Sequence, residues 1–246
     1  MTVNQSVFFE RFASILNANG LGKFISEALA GQFYRLTERM LEVNEHMNLT
    51  AITDTDGVIL KHYADSLTAS KYIPTGASVI DVGCGAGFPS LPLAIARPDL
   101  HVTALDSTAK RIDYIRETAE ILGLSNITCI VSRAEELSQD SAHRERYDIS
   151  CARAVARLNV LCEFCLPYVH IGGSFIAMKA NAADEINEAS VGIKKLGGKL
   201  QRADCFELIS DTAGEPSPRC IVEIRKISPT PGIYPRNYAQ IKKKPL

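Results

Sequence analysis

The sequence predicts an α/β fold with a seven-stranded, mostly parallel sheet, an antiparallel last strand and a helical segment at the N-terminus. Three observations lead to this prediction. Apolar residues over the first 70 positions recur at helical spacing. From residue 78 onward, short apolar runs alternate with helical stretches, an order typical of right-handed crossovers and a parallel sheet. The last two runs are close enough in sequence to pair antiparallel.

The N-terminal segment divides into three predicted helices, which together form a cap over residues 1–70. The first carries Phe8, Phe12, Ile15 and Leu16 on one face and has a stop signal at Gly20. In the second, apolar side chains recur at steps of three and four for about six turns. They are Ile25, Leu29, Phe33, Leu36, Met40, Val43 and Met47. A third, short helix follows residues 54–57 and carries His62, Asp65 and Ser66.

The strands belong to a domain predicted over residues 71–228. They are predicted at residues 78–82, 101–105, 126–131, 148–152, 173–178, 204–209 and 220–226. The intervening helices are clearest at residues 110–122 and 158–168. A turn at 214–218 joins the last two strands. The remaining segment, 229–246, contains four prolines and predicts an extended or mobile tail.

The composition excludes several classes of protein. The chain has 246 residues, of which 46% are hydrophobic and 22% charged, as in a globular protein with a sizeable core. No apolar run approaches the roughly 18 residues of a membrane-spanning helix. Glu10 and Arg11 interrupt the apolar N-terminus, so a signal peptide is not expected. Seven irregularly spaced cysteines predict reduced thiols in the cytoplasm rather than a disulfide framework.

The net charge of −1 conceals an uneven distribution along the chain. Residues 225–246 contain six basic residues and no acidic one, whereas residues 1–224 contain the other 21 basic residues and all 28 acidic ones. The C-terminal part therefore carries +6 and the rest −7. A basic tail on an acidic body is typical of an arm that binds a polyanion. A tail that only aids solubility is an equally open interpretation.

The strongest local motif is a glycine-rich turn after the first predicted strand. Asp81 ends that strand, and Gly83, Gly85 and Gly87 follow at alternate positions. Glycines there let the backbone turn sharply and approach a ligand closely. A dinucleotide-binding turn would place glycine or alanine at position 88, where this chain has Phe88, and no G-K-[ST] phosphate-binding loop occurs. An acid at the strand end favours a cationic ligand over a pyrophosphate.

Two further strand ends complete a predicted nucleoside pocket. Asp106 ends the second strand, 19 residues after Gly87, where a carboxylate can accept hydrogen bonds from both ribose hydroxyls. Ala134 and Glu135 follow the third strand, where an adenine edge would be read. Together with the glycine-rich turn, these residues predict the S-adenosylmethionine site of a Rossmann-like class I methyltransferase.

The residues after the fourth strand bear on the methyl acceptor. The chain has no Pro-Cys pair, as cytosine-C5 methylation uses, and no Asn/Asp-Pro-Pro-aromatic loop, as adenine amino methylation uses. Arg153 and Arg157 stand there and suit a phosphate or a guanine edge. Guanine N7 has a free lone pair, so its methylation can proceed by positioning alone. No acid–base catalyst is therefore assigned, and Arg153, Arg157 and Lys179 are the catalytic candidates.

Two smaller patterns are interpreted as structural or left open. Cys162 and Cys165 form a lone C-x-x-C inside an apolar helix, which predicts packing, and no metal site is expected. His62, Asp65 and Ser66 share one helix face at i, i+3 and i+4. A local hydrogen-bond cluster and a catalytic role are both open for these three residues.

These motifs, in this order, resemble the ribosomal RNA small-subunit methyltransferase G family, also called glucose-inhibited division protein B. The resemblance runs from about residue 48 to residue 246 and is strongest over 48–180. It rests on Asn48-Leu49-Thr50, His62-Tyr63-Ala64-Asp65-Ser66, residues 81–89, Leu105-Asp106-Ser107, Arg133-Ala134-Glu135, residues 152–158 and Met178-Lys179-Ala180. It implies a cytoplasmic enzyme that transfers a methyl group from S-adenosylmethionine to N7 of guanosine 527 in 16S ribosomal RNA.

The resemblance also implies roles for individual residues. The family's cofactor residues fall on Gly83, Phe88, Ala134, Glu135 and Arg153, with Asp106 as the ribose ligand. The residues expected to meet RNA are Arg153, Arg157, Arg236, Lys242, Lys243 and Lys244. The tail keeps the Tyr-Pro-Arg and Lys/Pro segments of one family branch, but Ala239-Gln240-Ile241 replaces the usual Gly-x-Pro. A monomer without a membrane partner is expected.

Three other functions stay open at this point. One is a methyltransferase of a small molecule or a protein, in which the basic tail is incidental. Another is a nicotinamide-dependent oxidoreductase, which Phe88 and the G-x-G-x-G spacing disfavour. The third is a non-catalytic RNA-binding protein on the same fold, which the full set of predicted cofactor residues disfavours.

Overall fold

The computed structural model describes residues 4–210 and 216–246 and contains a seven-stranded sheet. Its strands are β1 (Ser78–Val82), β2 (His101–Asp106), β3 (Ile127–Val131), β4 (Tyr147–Arg153), β5 (Val169–Lys179), β6 (Gly198–Leu208) and β7 (Ser217–Lys226). Their order across the sheet is β3-β2-β1-β4-β5-β7-β6. Strands β1 to β5 pair in parallel, whereas β7 is antiparallel to both β5 and β6. The predicted sheet is confirmed, including its antiparallel last strand.

Helices precede the sheet and alternate with its strands. They are α1 (Gln5–Ala18), α2 (Glu27–Met47), α3 (Thr55–Val58), α4 (Asp65–Thr68), α5 (Ser90–Ala96), α6 (Ala109–Leu122), α7 (Ala134–Leu137), α8 (Leu158–Cys165), α9 (Ala183–Lys195) and α10 (Tyr238–Lys243). A π-helix at Ile59–Ala64 joins α3 to α4, and short 3-10 helices occur at Gly22–Phe24, Ala69–Tyr72 and Leu166–Tyr168. None of the helices within the described ranges combines the length and apolar character that crossing a membrane requires.

Aromatic residues form the interior of the N-terminal segment. The ring centroids of Phe12 and Phe33 are 5.1 Å apart, and those of Phe33 and Tyr63 are 4.8 Å apart. All three side chains are fully buried, as the helical spacing predicts for the first two. The same apolar cluster continues to Phe88 and Leu91 beside the sheet, so the helical cap and the sheet share one core. The division of the chain at residues 70 and 228 stays a prediction.

The strand order predicts that a ligand binds at the carboxyl ends of the central strands. From β1 the chain passes to β2 and β3 on one side, and then crosses back to β4 on the other side of β1, so the strand order reverses between β1 and β4. The register aligns Val82 of β1 with Leu105 of β2, and Asp106 with Val131 of β3, so these strands end side by side. Open α/β sheets bind ligands at the carboxyl ends of the strands beside such a reversal of strand order.

The C-terminal segment is not the extended or mobile tail that its prolines predict. It folds back on the domain and forms α10, whose first turn is capped by Asn237, with Oδ1 accepting from the Gln240 backbone N–H at 3.0 Å. Ile241 of this helix is fully buried. Arg236 pairs with the buried carboxylate of Glu163 at 2.6 Å. The prediction is wrong for residues 238–243, because the four prolines lie outside this stretch, where the Asn237 cap and the buried Ile241 favour a docked helix.

The prediction of reduced cysteines is wrong for one pair. Cys205 and Cys220 lie directly opposite each other in the β6–β7 register and form a disulfide. The other five cysteines are free, Cys162 and Cys165 among them. The pairing is defined by the hairpin register, which cysteine spacing alone does not reveal. The predicted turn at 214–218 between these strands falls partly outside the described residues.

Candidate active site

A cleft of about 570 Å³ lies where β1, β2, β3 and β4 end. Its volume is in the usual range for small-molecule sites. Its walls come from residues 82–86 and Phe88 in the first turn, 105–108 and Arg111 after β2, 132–135 after β3, 153–155 after β4, Leu49, Thr50 and His62 of the cap, and the rings of Phe164 and Tyr238. The sequence therefore assembles one cleft from four strand ends, the cap and the C-terminal helix.

The glycine-rich turn forms the floor of the cleft. Gly83, Gly85 and Gly87 have φ angles of +74°, +58° and +86°, which side-chain-bearing residues rarely adopt. A Cβ on Gly83 would lie 2.8 Å from a methyl group of Val155, and one on Gly87 would lie 2.6 Å from Leu91. Gly83 and Gly85 line the cleft, whereas Gly87 faces the protein interior. Gly83 and Gly85 therefore allow a ligand to approach the backbone closely, whereas Gly87 allows α5 to pack against the turn.

Asp106 projects its carboxylate into the cleft in a fixed orientation. Its Oδ2 accepts from the Gly85 backbone N–H at 3.1 Å, and its Oδ1 accepts from the Thr108 N–H at 2.8 Å. The guanidinium of Arg111 lies 3.7 Å from Oδ2. Each carboxylate oxygen has further acceptor capacity after these bonds. The group can therefore accept two more hydrogen bonds from a ligand, as a vicinal diol would offer.

Asp81, predicted to hold the cofactor, lies behind the turn rather than in the cleft wall. It is fully buried, and its Oδ2 accepts from both the backbone N–H and the hydroxyl of Ser90, at 3.0 and 2.7 Å. Burial raises the pKa of Asp81 to about 6. Its Oδ1 has no hydrogen-bond partner among the described residues. Asp81 thus fixes the start of α5 to β1, and a contact with cofactor stays a prediction.

The cap closes one end of the cleft with a stack of rings. The His62 imidazole lies parallel to the Phe88 ring, with centroids 4.5 Å apart, and its Nε2 is 2.9 Å from the Thr50 hydroxyl. Burial, followed by the charge of Arg153, lowers the pKa of His62 to about 4. The imidazole is therefore neutral at neutral pH. Ser66 donates its hydroxyl to the His62 backbone carbonyl at 2.5 Å, a local helix contact.

Asp65 bridges two arginines beside this stack. Its Oδ2 accepts from Arg153 at 3.0 Å and its Oδ1 accepts from Arg219 at 2.9 Å. Arg153 also donates to the Lys61 carbonyl at 2.9 Å and lies 5.3 Å from the centre of the Phe88 ring. The three residues of the predicted helix face thus have different contacts. His62 lines the cleft, Asp65 orients Arg153, and Ser66 stabilises the helix.

Two aromatic rings that the sequence interpretation missed close the opposite end of the cleft. Phe164 of α8 and Tyr238 of α10 lie parallel, with ring centroids 6.2 Å apart. They line the cleft together with Ala134 and Glu135 of α7, as predicted for these two residues. The guanidinium of Arg133 lies 5.2 Å from the centre of the Tyr238 ring. This end of the cleft is therefore flat-walled and partly apolar.

The remaining candidates lie outside the cleft wall. Arg157 forms an exposed ion pair with Glu188 at 2.7 Å. Lys179 pairs with Glu185 at 2.9 Å and donates to the Ala156 carbonyl at 2.8 Å. A catalytic role for either residue stays a prediction.

The predicted RNA-binding residues of the tail differ in whether their charge is already paired. Arg236 is engaged by the buried Glu163, whereas Lys242, Lys243 and Lys244 are exposed on and after α10. Over the described residues, no group of three or more histidine, cysteine, aspartate or glutamate side chains could hold a metal ion.

Comparisons with known proteins show to which family the chain is related. The family model for rRNA small subunit methyltransferase G matches residues 30–210. The ribosomal RNA small subunit methyltransferase G of Brevibacillus brevis is 44% identical over 240 residues, covering 96% of this chain and 98% of that protein. The protein of the same name from Staphylococcus carnosus is 48% identical over 219 residues, covering 87% and 90%.

Solved structures show the fold. M. jannaschii TYW2 in complex with AdoMet superposes with a TM-score of 0.55 at 16% identity, covering 72% of this chain and 80% of that one. A SAM-dependent O-methyltransferase from Thermotoga maritima gives a TM-score of 0.51 at 16% identity, covering 77% and 71%. The prediction of a Rossmann-like class I methyltransferase fold is confirmed. Because the family model matches most of the chain and these relatives align over nearly all of it, the chain belongs to the rRNA small subunit methyltransferase G family.

Proposed function

We propose that this chain transfers the methyl group of S-adenosylmethionine to N7 of guanosine 527 in the 16S rRNA of the small ribosomal subunit. The observation that carries the proposal is the Asp106 carboxylate, held by the amides of Gly85 and Thr108 in a cleft that the glycine-rich turn, Ala134 and Glu135 also line. The nucleotide position comes from the family resemblance. A cytoplasmic location and a monomeric state are parts of the same proposal.

The residues of the cleft fit S-adenosylmethionine. Asp106 offers two acceptor oxygens to the ribose diol, and Ala134 and Glu135 lie where the adenine would reach. Gly83 and Gly85 line the cleft without side chains, which leaves room for the methionine part. Bound S-adenosylmethionine would supply an electrophilic methyl group on its sulfonium sulfur, with S-adenosylhomocysteine as the leaving group of the transfer.

The chain's own contribution to the reaction is positioning and charge. N7 of guanine attacks with a lone pair and loses no proton, so no general base is required. His62 is neutral and flat against Phe88, which provides a rigid wall for an incoming base. Arg153 is oriented by Asp65 and presents a fixed cation beside that wall. A guanidinium in this place suits guanine O6 or an adjacent phosphate.

RNA contact is expected mainly through exposed positive charge. Lys242, Lys243 and Lys244 follow Tyr238 at the mouth of the cleft and can meet phosphates without reading sequence. Arg157, exposed but paired with Glu188, can join them by exchanging its partner for a phosphate. The methyl acceptor would thus be held between the cap and the C-terminal helix.

The test is methyl transfer from radiolabelled S-adenosylmethionine. Naked 16S rRNA and small subunits, both from cells that lack the modification, are incubated with the purified chain. The label is then mapped by strand cleavage at 7-methylguanosine. We expect one cleavage site, at position 527, with at least one of the two substrates, and much less label with Asp106→Ala at the same cofactor concentration. The absence of label on both substrates, or label only at other nucleotides, would contradict the proposal.

A further inference from the structure

We propose that Tyr238, carried by the C-terminal helix α10, forms the outer wall of the adenine subsite in the cofactor cleft. The tail would then belong to the cofactor site as well as to the RNA-binding surface. The inference rests on the proposed use of S-adenosylmethionine, and it assigns to a C-terminal residue a role that the glycine-rich turn and the strand ends do not supply.

The position of the ring supports this assignment. Tyr238 lines the same cleft as Asp106, on the side of Ala134 and Glu135. Tyr238 as a whole residue is 43% exposed although its ring lies parallel to that of Phe164 in α8, and it lines the cleft, so a ligand there can contact it. The rings at the other end of the cleft, including Phe88, are covered by the cap. A ribose held at Asp106 would therefore direct a flat base toward Tyr238 and away from the cap.

The helix holds the ring firmly in place. On one side of Tyr238, Arg236 is fixed by the buried Glu163, with its backbone N–H and its guanidinium both donating to that carboxylate. On the other side, Ile241 is fully buried in the core around α8. Asn237 caps the helix between them. Anchors on both sides pre-organise the aromatic wall, so little ordering is needed when a base binds.

The same short helix connects the two binding surfaces. Tyr238 is at its first position, and the exposed Lys242 and Lys243 are at its end. Because the anchors hold this helix in one position, a base against Tyr238 and RNA phosphates at the lysines would lie a few residues apart on one rigid element.

Calorimetric titration of the full-length protein with S-adenosylhomocysteine tests the assignment. Tyr238→Ala should raise the Kd about 5- to 30-fold, the usual effect of removing an aromatic ring from a base. Tyr238→Phe should keep the Kd within about 2-fold of wild type, because the ring remains. Methylthioadenosine, which has the base and ribose without the amino acid, should show the same loss with Tyr238→Ala. Ile233→Ala, an exposed apolar residue of the tail outside the cleft, is the matched control.

The outcomes are distinguishable from failure of the proposed function. If wild type binds S-adenosylhomocysteine and Tyr238→Ala binds it equally well, the inference is overturned while the methyltransferase proposal stands. A Tyr238→Ala effect confined to the KM for RNA also overturns it, since the ring would then serve the other surface. If Tyr238→Ala unfolds, Tyr238→Leu replaces it, and a loss of affinity with Leu but not with Phe supports an aromatic contact. If wild type binds neither probe, the proposed function itself fails.

Discussion

At the scale of single residues, the Asp106 carboxylate is expected to provide much of the cofactor affinity. It is 7% exposed and is held by the backbone amides of Gly85 and Thr108. Two hydrogen bonds from a ribose diol to a charged acceptor are each worth about 1.5 kcal/mol or more. Asp106→Ala should therefore weaken S-adenosylhomocysteine binding by about 100-fold in calorimetry, with the fold retained by circular dichroism. Asp113→Ala, in an exposed ion pair on α6, is the control. Unchanged affinity of Asp106→Ala would contradict the ribose assignment.

Two buried groups near the cleft respond to acid in opposite directions. Burial lowers the pKa of His62 from 6.5 to about 4 and raises the pKa of Asp81 from 3.8 to about 6. Between pH 6.5 and 4, the unfolded state binds a proton at His62 that the folded state does not. The contribution of His62 to the free energy of unfolding therefore decreases as the pH is lowered through this range. Between pH 6 and 3.8, folded Asp81 binds a proton that the unfolded state does not. The contribution of Asp81 to the free energy of unfolding therefore increases as the pH is lowered through this range. In the wild type the two effects largely cancel.

Single substitutions should separate these two effects. The free energy of unfolding of His62→Asn minus that of the wild type should be about 2 kcal/mol higher at pH 4.5 than at pH 7.5. The reason is that the variant lacks the loss of stability that His62 causes in acid. The free energy of unfolding of Asp81→Asn minus that of the wild type should be about 2 kcal/mol lower at pH 4.5 than at pH 7.5. The reason is that the variant lacks the gain of stability that Asp81 gives in acid. Urea unfolding at the two pH values measures both. Curves that stay parallel to the wild type would show that neither group titrates in this window.

At the scale of secondary-structure elements, one ion pair holds the tail to α8. Glu163 is fully buried, and Arg236 approaches it at 2.6 Å. Removing one partner of a buried pair leaves an uncompensated charge and typically costs about 3–5 kcal/mol. We expect Arg236→Ala to lower the free energy of urea unfolding by that amount. Lys243→Ala, which makes the same change in net charge at an exposed position, should stay within about 0.5 kcal/mol of wild type. Equal stabilities for the two variants would mean that Arg236 is free to meet RNA.

Elements with local signals were predictable from the sequence, and those defined by distant contacts were not. The apolar run before Gly83 and the glycine spacing lie in consecutive residues, so β1, the turn and the start of α5 follow directly from the pattern. The pairing of Cys205 with Cys220 depends on the register of β6 and β7, which no local pattern specifies. The contact between Tyr238 and α8 depends on where the tail docks.

The helix α10 is an intermediate case. Asn237 followed by Gln240 and then Ile241 is a local start signal with an apolar anchor, and the structure uses it. The prolines of the tail concealed this signal, because they favour extended backbone over most of the segment. The position of Tyr238 in the cleft was also hidden, because it depends on how α10, with its buried Ile241, docks on the domain. Tail residues of the site were therefore beyond sequence interpretation, whereas Asp106, Ala134 and Glu135 were not.

At the scale of the whole molecule, the charge of the C-terminal part is only partly available to RNA. Of its six basic residues, Lys226 is buried and pairs with Glu145 at 2.9 Å, and Arg236 pairs with Glu163. The other four are exposed: Arg225 on β7, and the three consecutive lysines of the tail, Lys242, Lys243 and Lys244. The usable positive charge is therefore concentrated beside the outer wall of the cleft, where an RNA backbone would be held next to the cofactor.

This distribution predicts where the salt dependence of RNA binding originates. Replacing Lys242, Lys243 and Lys244 together by alanine should reduce the slope of log affinity against log salt by about 2, since each lost phosphate contact removes about 0.7 to 0.9. Fluorescence anisotropy with a 16S rRNA fragment over a range of salt concentrations measures the slope. Affinity for S-adenosylhomocysteine should change little, because none of the three side chains lines the cleft and only the Lys242 ammonium lies near its wall, 5.9 Å from the centre of the Tyr238 ring. A triple alanine variant of the exposed Lys194, Lys195 and Lys199 removes the same charge elsewhere and should leave the slope nearly unaltered. Equal slopes for the two triple variants would instead assign the tail lysines to solubility, because the position of the charge would then have no effect on RNA binding.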